Sequence, residues 1–186
     1  MKKTPLAPTI WRTCRVLACP RRLKVLAAVL EKSSVCVKDV ALICHMPANT
    51  ATQYLRALQS RGLLAANRKS KWVYYVPRAD PSVQHAEAML IAMQQAIAQG
   101  ESTDVMVAAL TAYTHPRRIT IVRHLAAGPA KVELLAQATG ISLPACYRHV
   151  DKLQSRAVVA MGIDGSCQLV RPASGLATAL LHAALE

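Results

Sequence analysis

The sequence predicts a mainly α-helical protein with small β-hairpin wings, built as two copies of one domain in tandem and joined by a helical connector. Three observations lead there: an internal repeat, the same order of apolar periodicities in each copy, and a positive charge concentrated in the first half.

The repeat rests on two anchors. Pro20-Arg21-Arg22-Leu23 recurs as Pro116-Arg117-Arg118-Ile119, a shift of 96, and Leu58-Gln59-Ser60-Arg61 recurs as Leu153-Gln154-Ser155-Arg156, a shift of 95. Between them, Val37-Lys38-Asp39-Val40-Ala41 aligns with Val132-Glu133-Leu134-Leu135-Ala136. Two anchors in the same order, one residue lost between them, are hard to obtain by chance. The period is far too long for a solenoid, so the units are whole domains. They fall at residues 1–80 and 101–186, with residues 81–100 as connector.

Each copy follows one plan. In the first, Pro20 suits a helix start, and Leu23, Leu26 and Leu30 form an apolar stripe at helical spacing. A short helix is expected over 37–44, with Val37, Val40 and Ala41 apolar. His45-Met46-Pro47 breaks it, because a residue before proline avoids the helical region. A third helix follows over 47–61, with Ala51, Leu55 and Leu58 as its core face and Gly62 closing it. Residues 63–76 read as a hairpin: two apolar runs flank a basic tip, Asn67-Arg68-Lys69-Ser70-Lys71. In the second copy Ile119, Val122 and Ala126 line the first helix. Gly140-Ile141-Ser142 makes the turn with Ser142 as N-cap. Cys146, Val150 and Leu153 form the core face of the third helix, and Asp164-Gly165 tips the hairpin. Further apolar helices are expected over 10–18, 82–99, 104–113 and 175–186. Gly100 ends the connector helix, and Ser102 caps the next one.

Composition narrows the class. Apolar residues make up 53% of the 186, which argues for a globular chain. No apolar stretch approaches about 18 residues, so no membrane span is expected. Arg12 and Arg15 interrupt what would be the apolar region of a signal peptide after Met1-Lys2-Lys3. Six cysteines at irregular spacings, with no CxxC, point to a reducing cytoplasm. Charge is the strongest bulk signal. The net charge of +13 calls for a polyanionic partner. Residues 1–80 hold 15 Lys+Arg against 3 Asp+Glu, and residues 81–186 hold 8 against 7, so the first half is the one that meets it.

Taken together, the motifs of residues 20–75 resemble the winged helix-turn-helix of the ArsR-type repressors. The matching runs are Pro20-Arg-Arg-Leu-Lys-Val-Leu, Val35-Cys-Val-Lys-Asp-Val-Ala, Thr50-Ala-Thr-Gln-Tyr-Leu-Arg-Ala-Leu, Arg61-Gly-Leu-Leu, and Arg68-Lys-Ser-Lys-Trp-Val-Tyr-Tyr. Residues 116–159 resemble the family less closely. Tyr147-Arg148-His149-Val150 fits its recognition helix, but the second hairpin lacks the basic tip and the paired tyrosines. The resemblance implies bacterial or archaeal transcriptional repression, binding to double-stranded operator DNA in the nucleoid, and in some members metal sensing. A tandem chain departs from the family's single-domain homodimer.

A helix-turn-helix places its second helix in the major groove. The face opposite Ala51, Leu55 and Leu58 carries Asn49, Thr50, Thr52, Gln53 and Arg56. Gln53 suits adenine, and Arg56 suits guanine or a phosphate. Arg68, Lys69 and Lys71 at the hairpin tip suit the backbone or minor groove, giving affinity and salt dependence rather than sequence information. Arg21 and Arg22 either contact phosphate or pair with an internal carboxylate. In the second copy Tyr147, Arg148 and Lys152 take the equivalent face, Asp151 replaces Arg56, and Asp164 stands at the tip. That copy is either a weaker reader or a substitute for a dimer partner. The expectation is an intramolecular pseudo-dimer, with a further homodimer left open.

The family's metal chemistry has a weak footing here. Cys36 falls at a thiolate position of the metal-sensing members, but Lys38 stands where they carry a second cysteine. Cys14 and Cys19 would have to fold toward Cys36 for a thiol sensor to form. Ser82 occupies the place of histidine in the family's Asp-x-His site. No cofactor is expected. Two rivals remain: a tandem winged-helix protein-interaction module of a chromosome complex, and a replication initiator. The basic first half disfavours the former and the ArsR-like motifs the latter. An enzyme is not expected, since no phosphate loop, HExxH or nucleophile elbow is present.

Overall fold

The computed structural model describes residues 9–186; the basic start at residues 1–3, read above against a signal peptide, lies outside them. The described residues open with α1 (Ile10–Leu17) and α2 (Pro20–Lys32), then β1 (Val35–Cys36), α3 (Val37–Ile43) and α4 (Ala48–Gln59). A hairpin of β2 (Ala65–Lys69) and β3 (Trp72–Val76) follows, then α5 (Ala86–Ala98). The order then recurs: α6 (Thr103–Ala112), α7 (Pro116–Leu125), β4 (Ala130–Lys131), α8 (Val132–Thr139), α9 (Leu143–Gln154), and a hairpin of β5 (Val159–Met161) and β6 (Ser166–Leu169). α10 (Gly175–Leu185) closes the chain.

Each hairpin is part of a three-stranded antiparallel sheet, ordered β1-β3-β2 and β4-β6-β5. The two-residue strands β1 and β4 went unread in the sequence because a pair of residues carries no period. They pin the hairpins to the helices: Val35 lies opposite Tyr75, and Ala130 opposite Cys167.

Local signals explain most helix limits. Pro20 and Pro116 occupy the first helical turns of α2 and α7, where the missing N–H is harmless. Ala51, Leu55 and Leu58 of α4 are fully buried, as are Cys146 and Leu153 of α9. Gly62 follows α4 at φ +68, and a Cβ there would lie 2.8 Å from the Cβ of Val83, so glycine is required twice over.

Four expectations need correction. The connector helix begins at Ala86 rather than near residue 82. Asp80 draws the chain into a turn, accepting from the Ser82 amide at 2.9 Å and its hydroxyl at 2.7 Å, and His85 then adopts a left-handed conformation. Ser142 holds the N-cap position of α9, but its side chain makes no cap bond. Ala126 is exposed past the end of α7, and Leu125 is buried in its stead. Arg22 pairs with no carboxylate among the described residues: its Nε donates to the Val16 carbonyl at 2.5 Å and its Nη2 to that of Arg15 at 3.1 Å. Arg118, its counterpart, does the same for α6, donating to the carbonyls of Ala112 at 2.6 Å and Thr111 at 2.8 Å and to the Thr114 hydroxyl at 2.6 Å. A helix leaves its last carbonyls without intrahelical partners, and in both halves one arginine from the next helix satisfies them.

The core runs through both halves. α1 packs on α6, α5 on α10, and α6 on α10, while α2 touches both α5 and α6. Leu17, Met89, Met93, Leu110 and Leu180 are completely buried in this layer. Each such side chain contributes on the order of 1.5–3 kcal/mol through burial. The four helices expected to bury their apolar faces together therefore do so.

Candidate nucleic-acid interface

α4 is polar on one side because its apolar residues recur at intervals of four and three. With Ala51, Leu55 and Leu58 turned inward, Asn49, Gln53 and Arg56 are exposed and Thr50 and Thr52 half-buried. Two of these groups are partly engaged. The Asn49 side-chain oxygen Oδ1 accepts from the Thr50 amide at 2.7 Å and, at 3.4 Å, from its hydroxyl. The Thr52 hydroxyl donates to the Ala48 carbonyl at 2.8 Å, which leaves it only as an acceptor. Gln53 and Arg56 make no side-chain hydrogen bond or ion pair among the described residues.

The first hairpin carries Arg68 and Lys69 on β2 and Lys71 in the turn, where Ser70 takes φ 55. All three cations are exposed. Their contacts are to carbonyls and rings rather than acids. Arg68 Nε reaches the Ser70 carbonyl at 3.5 Å, a weak bond. Lys69 Nζ lies 5.9 Å from the centre of the Tyr74 ring, and Lys71 Nζ 5.8 Å from that of Trp72. The same Trp72 ring receives Lys38 from α3, at 4.6 Å. Such contacts hold a cation in place without neutralising it. Lys38 and Trp72 were missed as site residues; only the charge of Lys38 was visible, since its ring partner lies on a distant strand.

The carboxylates of the first half are all engaged locally. Asp39 accepts from the Cys36 amide at 2.7 Å at the start of α3, and this bond holds its carboxyl below the usual range. Asp80 is held low in the same way by the Ser82 hydroxyl and amide. Glu31 lies 3.2 Å from its neighbour Lys32. Among the described residues none forms an ion pair with Arg56, Arg68, Lys69 or Lys71, so no carboxylate neutralises these cations.

The second half has different chemistry. The Tyr147 hydroxyl donates to Glu133 at 2.5 Å, which ties it to α8, raises its own pKa and lowers that of the carboxyl. Arg148 is exposed and Lys152 half-buried. At the hairpin tip Asp164 accepts from the Ser166 amide at 3.1 Å and hydroxyl at 2.7 Å. Leu134, Leu143 and Ile163 are exposed on α8, α9 and that tip. His149 of α9 and His115 lie side by side, with ring centres 4.6 Å apart and planes tilted by 37°. Burial, then the His115 imidazole and three nearby arginines, push His149 down to about 4; burial and arginines also lower His115.

The cysteines considered for a sensor are not gathered. Cys14 is fully buried in the core, and burial pushes its thiol well up. Cys19 is half-buried at the start of α2, and Cys36 is buried at the start of α3. Among the described residues no three Cys, His, Asp or Glu side chains come together as metal ligands. No helix among them is long and apolar enough to cross a membrane.

A mainly helical chain with small antiparallel sheets, carrying a polar helix beside a basic hairpin, is compatible with the winged-helix class. Comparison with known proteins agrees at that level. The cadmium resistance transcriptional regulatory proteins CadC of Listeria innocua serovar 6a and of Lactococcus lactis subsp. lactis are each 28% identical to this chain over 68 residues. The match takes in 37% of this chain, which spans 57% of the length of those relatives. No family model matches the chain, and no solved structure does.

Proposed function

We propose that this protein is a sequence-specific, double-stranded DNA-binding transcriptional regulator, acting as a repressor. In this reading α4 enters the major groove, where Gln53 and Arg56 meet base edges, and Arg68, Lys69 and Lys71 follow the backbone. The observation that carries it is electrostatic: these groups are exposed, and every carboxylate of residues 1–80 is bound elsewhere. The likeness to two transcriptional regulatory proteins supports the same class.

The second half, in this proposal, is a diverged copy that stands in for the second subunit of a dimer. The recurring element order and the paired arginines Arg22 and Arg118 support duplication. The packing of α1 on α6 and of α5 on α10 supports an intramolecular pseudo-dimer. A repressor of this kind belongs in the cytoplasm with the nucleoid. The cadmium resistance in the relatives' names is not carried over to this chain.

One observation favours a second reading for residues 101–186. The exposed Leu134, Leu143 and Ile163 suit a protein contact better than a phosphate backbone. Selection of bound fragments from random DNA, followed by anisotropy titration, separates the two. A regulator yields a defined site whose halves differ. An interaction module yields no enriched site and little binding at any salt concentration.

A further inference from the structure

We infer that the second half carries a binding site for a small amphipathic carboxylate, in a cavity of about 420 Å³ between α6, α10 and the base of the second hairpin. The walls are apolar, formed by Ala108 and Ala109 of α6, Val158 and Val170 at the hairpin base, and Leu181 of α10. Cavities of roughly 300–1,000 Å³ with apolar walls and a few fixed polar groups are the usual form of small-ligand sites.

The polar group here is a guanidinium. Arg156 lines the cavity, and its Nε is buried without a hydrogen-bond acceptor. No Asp or Glu lines the cavity, whereas a second cation, Arg171, does. Arg118 adds a third positive charge near enough to interact with Arg156. An anionic headgroup beside Arg156 and Arg171 would offset this concentration of positive charge. The ligand should carry one such group and an apolar body, since further charges would be stranded against apolar walls.

The first half shows what closure looks like. Arg61 also has a buried Nε without an acceptor. There the next residue, Gly62, lies under Val83 and Ala86, which would meet a Cβ at 2.8 and 3.2 Å. The corresponding residue of the second half, Ala157, also takes a left-handed conformation, at φ 54, yet lines open space. A ligand in that space touches α6, α10 and the C-terminal side of α9 at once.

The test is calorimetric titration of the full chain, without DNA, using octanoate and its neutral counterpart 1-octanol. Octanoate should bind at least about tenfold more tightly, as expected for a charge-assisted bond to arginine. Arg156→Gln should abolish that preference. Val105→Trp, which fills the cavity from an exposed position of α6, should weaken octanoate at least about tenfold while leaving the melting temperature without ligand unchanged. Equal affinity for acid and alcohol, no octanoate binding at millimolar concentration, or full binding by Val105→Trp overturns the inference. Should Arg156→Gln not fold, Val105→Trp decides. Because DNA is absent throughout, the result stands apart from the proposed regulatory role.

Discussion

Neutralising the first hairpin isolates the electrostatic part of DNA binding. The perturbation is the triple variant Arg68→Gln, Lys69→Gln, Lys71→Gln. All three residues are exposed, and none is paired with a carboxylate, so the change should leave the fold intact. Each phosphate contact adds about 0.9 to the slope of log affinity against log salt, and three contacts add about 2.7. A rise from about 50 to 200 mM is fourfold, so the wild-type chain should lose about 40-fold more affinity over that interval than the variant. Fluorescence anisotropy on one duplex at several salt concentrations measures both slopes. The ratio of affinities for target and random duplexes should stay the same, because backbone contacts carry no sequence information. Parallel salt slopes for the two proteins would refute the assignment of these cations to phosphate.

On α4, Gln53→Ala should cost about 1–3 kcal/mol of discrimination at one base pair. Thr52→Ala should cost less, because the Thr52 hydroxyl already donates to Ala48; competition binding with single-base variants of the site measures both. Arg118→Met should lower stability by about 2–4 kcal/mol, since it leaves the Ala112 carbonyl without a donor and takes one donor from the Thr111 carbonyl. In a chain of this length that is a fall of about 5–15 °C in melting temperature, readable by calorimetry. The adjacent histidines predict acid sensitivity. His149 is pushed down from its ordinary value of 6.5 to about 4, so the unfolded chain takes up a proton first. Its contribution is complete above pH 6.5 and is lost as the pH falls toward 4. After solvent screening the loss should be about 1–2 kcal/mol, and His149→Gln should flatten the stability profile between those limits.

The helices and both hairpins were legible because each rests on a local period or a local break. Leu23 and Leu26, or Ala51, Leu55 and Leu58, declare a buried face without reference to the rest of the chain. The exposed face of α4 followed from the same spacing. What escaped the reading is local structure too short to show a period, as in β1 and β4, or contact between residues on different elements. Arg22 and Arg118 were visible as a repeated pair of cations, but their carbonyl partners were not. Tyr147 reads as a free recognition residue until Glu133, 14 positions earlier, is found within hydrogen-bonding distance. Lys38 reads as an isolated lysine until Trp72 is found beneath it.

The sequence alone determined the order of the elements, which face of each helix turns inward, and the half in which positive charge accumulates. These depend on residue type and spacing along the chain, and the solvent enforces them everywhere alike. Only the tertiary structure decided which charged groups remain uncompensated, which polar groups are already bonded, and where space is left open beside Arg156. Those properties depend on distances between segments far apart in sequence, and no local pattern encodes such a distance.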